Sequence, residues 1–183
     1  MSNGHKRKKA PDLVRQNLLE ASLDLMASVG IEKMSLNEVS LKAGVTKGGL
    51  LHHFSSKKEL IVAAIKYALS LIDRHIYMHL ENDQNSYGKF TRAYIKVSLE
   101  PDVKEIWDAF SFSLMSDKAL YSIWDEWLDG HLNAFKATDY GIDLQMIRYA
   151  ADGIWLKNFV HNTTADQLLI TELISKTYKT DEV

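Results

Sequence analysis

Thr46, Lys47, Gly48 and Gly49 are the residues of this 183-residue chain best suited to chemistry, and that chemistry is anion recognition. Thr46 carries the hydroxyl of a helix N-cap. The residues after it would form an opening turn whose backbone N–H groups lack intrahelical partners and, with the positive end of the helix dipole, favour a phosphate. Lys47 adds a full positive charge. Each glycine in such a turn costs roughly 1 kcal/mol relative to alanine, which close approach of the backbone to a partner would offset. His52 and His53 both stand as DNA-binding candidates, their place favouring a phosphate or base-edge contact for one and packing for the other, and Lys57 brings a second cation. The spacing points to phosphate contacts from Thr46, Lys47, Gly48 and Lys57, with one more from Ser35. Gly49, Leu50 and His52 are then the residues placed to face base edges or a thymine methyl group.

Other chemistries find little support. The chain has no cysteine, which excludes disulfides, thiol nucleophiles and zinc–thiolate sites. It carries no serine nucleophile motif, phosphate-binding loop or zinc-protease sequence, so no enzymatic activity and no cofactor are expected. His75 and His79 lie one helical turn apart, a metal-ligand spacing. No third ligand is evident nearby, so they read as exposed polar positions and no metal is assigned.

The anion-binding turn needs a scaffold, and Ser35 to Phe54 supplies one. Ser35 and Glu38 have the spacing of a capping box, which starts a helix. Gly44 ends it, since glycine tolerates positive φ. Val45 anchors the turn and Thr46 opens the next helix. A helix, a glycine turn and a short basic helix are how a chain presents one helix to a DNA major groove. Charge supports that orientation: residues 1–58 hold ten Lys and Arg against five Asp and Glu, a balance of +5. Residues 100–183 hold seven against fifteen, a balance of −8, so one end of the chain is suited to nucleic acid. The run His5-Lys6-Arg7-Lys8-Lys9 could follow phosphates or remain a solvated tail.

The segment resembles the TetR family of bacterial transcription regulators, through Ser35, Val39, Ala43, Gly44, Val45, Thr46, Lys47, Gly48, Leu50, His53, Phe54, Lys57 and Leu60. The likeness extends upstream to Leu18, Ala21, Leu25, Gly30 and Met34, about the first third of the chain. Leu51 departs from it, standing where the family commonly has a tyrosine able to bond a phosphate. The resemblance implies an all-α, nine-helix fold with three helices in the DNA-binding head and six in a ligand-binding and dimerising body. It also implies a homodimer on a palindromic double-stranded operator, with recognition helices about 34–36 Å apart.

Punctuation in the sequence agrees with an all-helical chain: prolines number two, and apolar residues recur at helical spacing. The expected organisation is a DNA-binding domain over 1–56, a connecting helix four over 57–80, and a C-terminal ligand-binding and dimerisation domain over 81–183. Further helices are expected from Asp102 to Met115, Lys118 to Lys136, Ile142 to His161 and Ala165 to Lys179. Capping boxes are expected at Ser56 with Glu59 and at Thr164 with Gln167. No stretch approaches the roughly 18 apolar residues of a membrane span, and a cytoplasmic location is expected.

All four tryptophans fall in the body. Trp107, Asp108, Phe110, Trp124, Trp127, His131, Asp152 and Trp155 combine indole and phenyl rings with carboxylates. They describe either core packing or a pocket for a lipophilic or multiply charged cation. With the resemblance, this composition suggests a repressor released by a small cationic inducer and controlling an efflux or detoxification gene. A regulator without a small ligand and a metal-responsive one remain alternatives. Ile147, Ala151, Ile154, Asn158, Leu168, Leu169 and Leu173, on the last two long helices, form the expected four-helix dimer interface.

Overall fold

The head begins with a helix that ends at its glycine. In the computed structural model, α1 spans Gly4–Lys33 and breaks at Gly30, where φ is 80°. Ser35 then starts α2, Leu36–Lys42, through both halves of the expected capping box. The Glu38 N–H donates to Ser35 Oγ at 3.2 Å and the Ser35 N–H donates to Glu38 Oε2 at 2.9 Å. Those bonds from Ser35 hold the Glu38 carboxyl below the usual carboxylate range. Gly44 takes φ 70°, and the Val45 N–H donates to the Ser40 carbonyl to close the turn. Thr46 caps α3, Lys47–His53.

The structure describes residues 4–161, 163 and 166–179, apart from the side chains of residues 4–10, 101, 102, 110, 112, 113, 115 and 116. The basic run His5 to Lys9, the side chain of Phe110, and Thr164 therefore lie outside the described residues. Within them the chain is helical, completed by α4 (Lys57–Asn82), α5 (Lys89–Leu99), α6 (Pro101–Ser116), α7 (Lys118–Ala134), α8 (Lys136–Asp139), α9 (Ile142–His161) and α10 (Gln167–Ser175). Ten helices thus replace the expected nine. The added one is α8, formed because the helix expected to reach Lys136 stops at Ala134 and the chain turns at Phe135. Pro101 opens α6, where its missing N–H costs no intrahelical bond. Asp166 caps α10 by accepting from the Leu168 N–H at 2.9 Å.

The chain divides into two compact units, Met1–Leu69 with Ala109–Ile123, and Ser70–Asp108 with Trp124–Val183. In the first, Leu18, Met34, Val39, Leu50, Phe54 and Leu60 are almost wholly buried. Glu59 accepts hydrogen bonds from the Ser55 N–H and hydroxyl, and its own N–H donates to Ser56 Oγ. In the second unit α5 packs against α8, α9 and α10. Ile95, Leu144, Ile147, Ala151 and Leu173 form a core cluster there.

Polar groups buried in this second unit are satisfied across long stretches of sequence. No side chain of its own caps α5. Asp139 does so from 48 residues downstream, accepting from the Phe90 N–H at 3.1 Å and the Thr91 N–H at 2.7 Å. The Arg92 guanidinium, with no solvent exposure, donates to Asp83 and to the carbonyls of Asn85, Tyr87 and Thr177. Burial alone would raise the Asp83 carboxyl, but the Arg92 hydrogen bond and charge together with the Asn85 N–H outweigh it, and its pKa is lowered. Gly88 must be glycine here: its φ is 67°, and a Cβ would lie 2.4 Å from the Thr177 carbonyl oxygen.

Candidate DNA-reading helix and ligand cavity

Of the residues expected to meet DNA, α3 exposes Lys47 and Gly48 in its first turn and His52 farther along, while Gly49 is half-buried. Thr46 is exposed, and its hydroxyl accepts from the Gly49 N–H at 3.0 Å. Ser35 is half-buried with its hydroxyl engaged in the α2 cap. His53 is half-buried, its ring 6.5 Å from that of Phe54, as a packing residue would be. Lys57 donates to the Glu32 carbonyl at 3.1 Å, which ties the start of α4 to the end of α1.

Leu50 is a correction. It has no exposure and packs in the core of the head, so it cannot face a base or a thymine methyl group. Leucine at that position completes the apolar side of α3, which leaves the helix one polar side to present. Gly48 behaves in the opposite way. A Cβ added there would meet nothing in the chain closer than 3.9 Å, so the fold of the head does not by itself require glycine.

The residues expected to bind a ligand do not form one site. Trp107, Trp127 and His131 pack together: the indoles of Trp107 and Trp127 meet edge to face at 6.3 Å, and the His131 ring stacks on Phe90 at 5.0 Å. Trp127 Nε1 donates to Asp73 Oδ1 at 2.9 Å, and His131 Nε2 lies 2.8 Å from the same oxygen. This cluster closes around the half-buried Asp73, and its three residues do not line the cavity described below. Asp152 accepts from the Tyr94 hydroxyl at 2.6 Å. Burial raises its carboxyl above the usual carboxylate range, against the opposing effects of the Tyr94 bond and the Arg148 charge. Trp124 is half-buried and also stands outside that cavity lining.

Asp108 and Trp155 come together. They line a cavity of about 70 Å³ with Glu100, Lys104, Asn158 and Phe159. Lys104 is ion-paired to Asp108 Oδ2, while Asp108 Oδ1 and Trp155 Nε1 are buried without a hydrogen-bond partner. The Trp155 and Phe159 rings stack 5.5 Å apart. Sequence reasoning did not single out Glu100, Lys104 or Phe159, although the pairs Lys104–Asp108 and Trp155–Phe159 each have the four-residue spacing of neighbours on a helix. Glu100 also faces both histidines of α4, His79 Nε2 at 2.6 Å and His75 Nδ1 at 3.6 Å. Among the described residues, however, no group of three His, Asp or Glu has a geometry able to hold a metal.

The expected dimer stripe is also corrected. Ile147, Ala151 and Leu173 are buried in their own core, Ile154 packs against it, and Asn158 lines the cavity. Helix α9 is apolar on two sides, and the chain buries one of them. The other leaves Met146, Tyr149, Leu156 and Val160 exposed, as are Leu168 and Leu169 on α10. Among the described residues no helix is long and apolar enough to cross a membrane.

Comparison with known proteins agrees with this architecture. Residues 18–64 match the profile of bacterial regulatory proteins of the tetR family, and residues 88–176 match the tetracyclin repressor-like C-terminal domain. The TetC protein of transposon Tn10 from Escherichia coli is 41% identical over 61 residues, 33% of this chain and 31% of TetC. The transcriptional regulator BetI of Yersinia pestis is 27% identical over 119 residues, 60% of this chain and 58% of BetI. The chain therefore spans from just under a third to just under three fifths of the length of these relatives. The multidrug binding protein EbrR, solved with malachite green, shares the fold with a TM-score of 0.73 at 22% identity, over 91% of this chain and 98% of that one. A capped helix-turn-helix followed by the matching C-terminal domain makes this chain a member of the TetR family.

Proposed function

We propose that the chain is a homodimeric transcriptional repressor that reads a palindromic DNA site through α3 and leaves it when a small molecule enters the body. The observation that carries the reading is the opening turn of α3. Its threonine cap, exposed lysine and exposed Gly48 leave backbone N–H groups accessible to a phosphate, and nothing in the chain accounts for glycine at 48. His52 then supplies a contact to a base edge.

The exposed face of α9 and α10 supports the dimer. Met146, Tyr149, Leu156, Val160, Leu168 and Leu169 make an apolar surface suited to a four-helix interface between two copies. Sedimentation at micromolar concentration should give twice the chain mass of 20.8 kDa. A monomer throughout that range would remove this part of the proposal.

The cavity, with Asp108 Oδ1 and Trp155 Nε1 buried and unpartnered in its wall, favours ligand control over control by abundance alone. A cationic inducer suits the excess of carboxylates, and EbrR, captured with malachite green and with ethidium, supports that class by analogy. The controlled gene would then export or detoxify such a compound. Helix α4 is one continuous helix with Lys57–Leu69 in one unit and the rest in the other. Ligand would favour a state whose α4 position no longer suits the operator, and DNA must weaken ligand by the same factor.

The test is selection of bound fragments from the source genome, followed by titration of the selected site against salt. Lys47→Ala should weaken binding to every sequence and lower the salt slope by about one. Failure to retain any fragment at low salt, or an unchanged slope, would refute the reading.

A further inference from the structure

We propose that the cavity beside α6 binds a small primary amine that also carries an oxygen acceptor, such as an amino alcohol. The inference rests on the ligand-responsive reading above and narrows its ligand class. It begins with the unpartnered polar atoms buried in the lining, Ser98 Oγ, Asp108 Oδ1 and Trp155 Nε1, of which the hydroxyl can donate or accept and the other two can each take one role only. A buried acceptor requires a donor and a buried donor requires an acceptor, so each of those two selects a complementary group on a ligand.

Charge decides what the donor carries. Glu100 and Asp108 bring two negative charges to the lining and Lys104 brings one positive, paired to Oδ2 of Asp108. Among the charged residues of the lining this leaves one negative charge, which a monocation balances. An ammonium group with N–H bonds can donate to Asp108 Oδ1, whereas a quaternary ammonium cannot. The stacked rings of Trp155 and Phe159 supply an apolar and cation-attracting wall for the carbon chain.

Volume decides the size. A single water requires about 10–15 Å³ of such a cavity. Its 70 Å³ therefore suits about five to seven non-hydrogen atoms.

Calorimetry on the full chain at pH 8 tests the assignment with probes of about six non-hydrogen atoms: 4-aminobutan-1-ol, pentylamine, pentan-1-ol and pentanoate. The amino alcohol should bind most tightly, with pentylamine and pentan-1-ol each roughly tenfold weaker or more, because each leaves one buried atom unpaired. Pentanoate should be weakest. In Trp155→Phe, which retains a ring to stack on Phe159, the advantage of the amino alcohol over pentylamine should vanish while pentylamine affinity persists. Asp108→Asn should reduce the advantage over pentan-1-ol in the same way.

Equal affinity for the alcohol or the acid, no binding by any probe, or a preference that survives Trp155→Phe would overturn the assignment. A parallel titration of DNA release separates it from the broader reading. Probes that bind as expected without releasing DNA uphold this ligand class and remove the inducer role. Release by another class of molecule, with none of the probes bound, upholds the inducer role and removes this ligand class.

Discussion

The head and the C-terminal body satisfy their polar groups in opposite ways. Around α2 and α3 the partners are three or four residues apart, as in Ser35 with Glu38, Thr46 with Gly49, and Ser55 with Glu59. In the body they are distant in sequence: Arg92 bonds Thr177 from 85 residues away, Tyr94 bonds Asp152 from 58, and Arg148 bonds Thr91 from 57. Local capping builds a surface whose remaining polar groups face outward, ready for a partner. Distant pairing locks together helices that lie far apart in sequence.

The largest effect should come from breaking the distant pairing. Arg92→Met removes a wholly buried guanidinium and leaves Asp83 and three carbonyls without their donor. A loss of about 3–5 kcal/mol is expected, read as a lower urea midpoint with an unchanged slope. A loss below about 1 kcal/mol would mean that solvent reaches those groups and that the contrast with the head is false.

Local capping should give a smaller response. Ser35→Ala deletes the side-chain half of one capping box, at about 1 kcal/mol, to be read from the same urea titration. A cost as large as that of Arg92→Met would show that the head is not built from separable local bonds.

The last change sharpens the comparison through pH. Because burial raises the Asp152 carboxyl in the folded state, the folded chain holds that proton to higher pH than the unfolded chain does. Stability therefore falls as pH rises from the ordinary carboxylate pKa through the raised one, and that loss persists above it. Asp152→Asn cannot ionise and keeps an oxygen for the Tyr94 hydroxyl. It should gain on the parent as pH rises through that window, with no such gain below it. Thermal midpoints across the acid range measure this, and a gain confined to low pH would reverse the assignment of cause.

Legibility follows the same division. Both halves of the Ser35–Glu38 box, the Gly44 turn and the Thr46 cap were readable because each depends on residues within a turn or two. The α8 turn was missed because Phe135 and Lys136 carry no local stop signal. The stripe of α9 was misjudged for a related reason: Ile147 and Ala151 on one side, and Met146 and Tyr149 on the other, are both apolar enough to bury.

By itself the sequence determined an all-helical chain, a basic head with a capped helix-turn-helix, and the family it resembles, since composition, spacing and capping act over short distances. Only the tertiary structure decided that Leu50 turns inward, that Trp127 and His131 close around Asp73, and that Asp108 and Trp155 share a cavity. Those outcomes depend on which faces of distant helices meet, and burial and charge pairing between remote residues leave no periodic trace in the sequence.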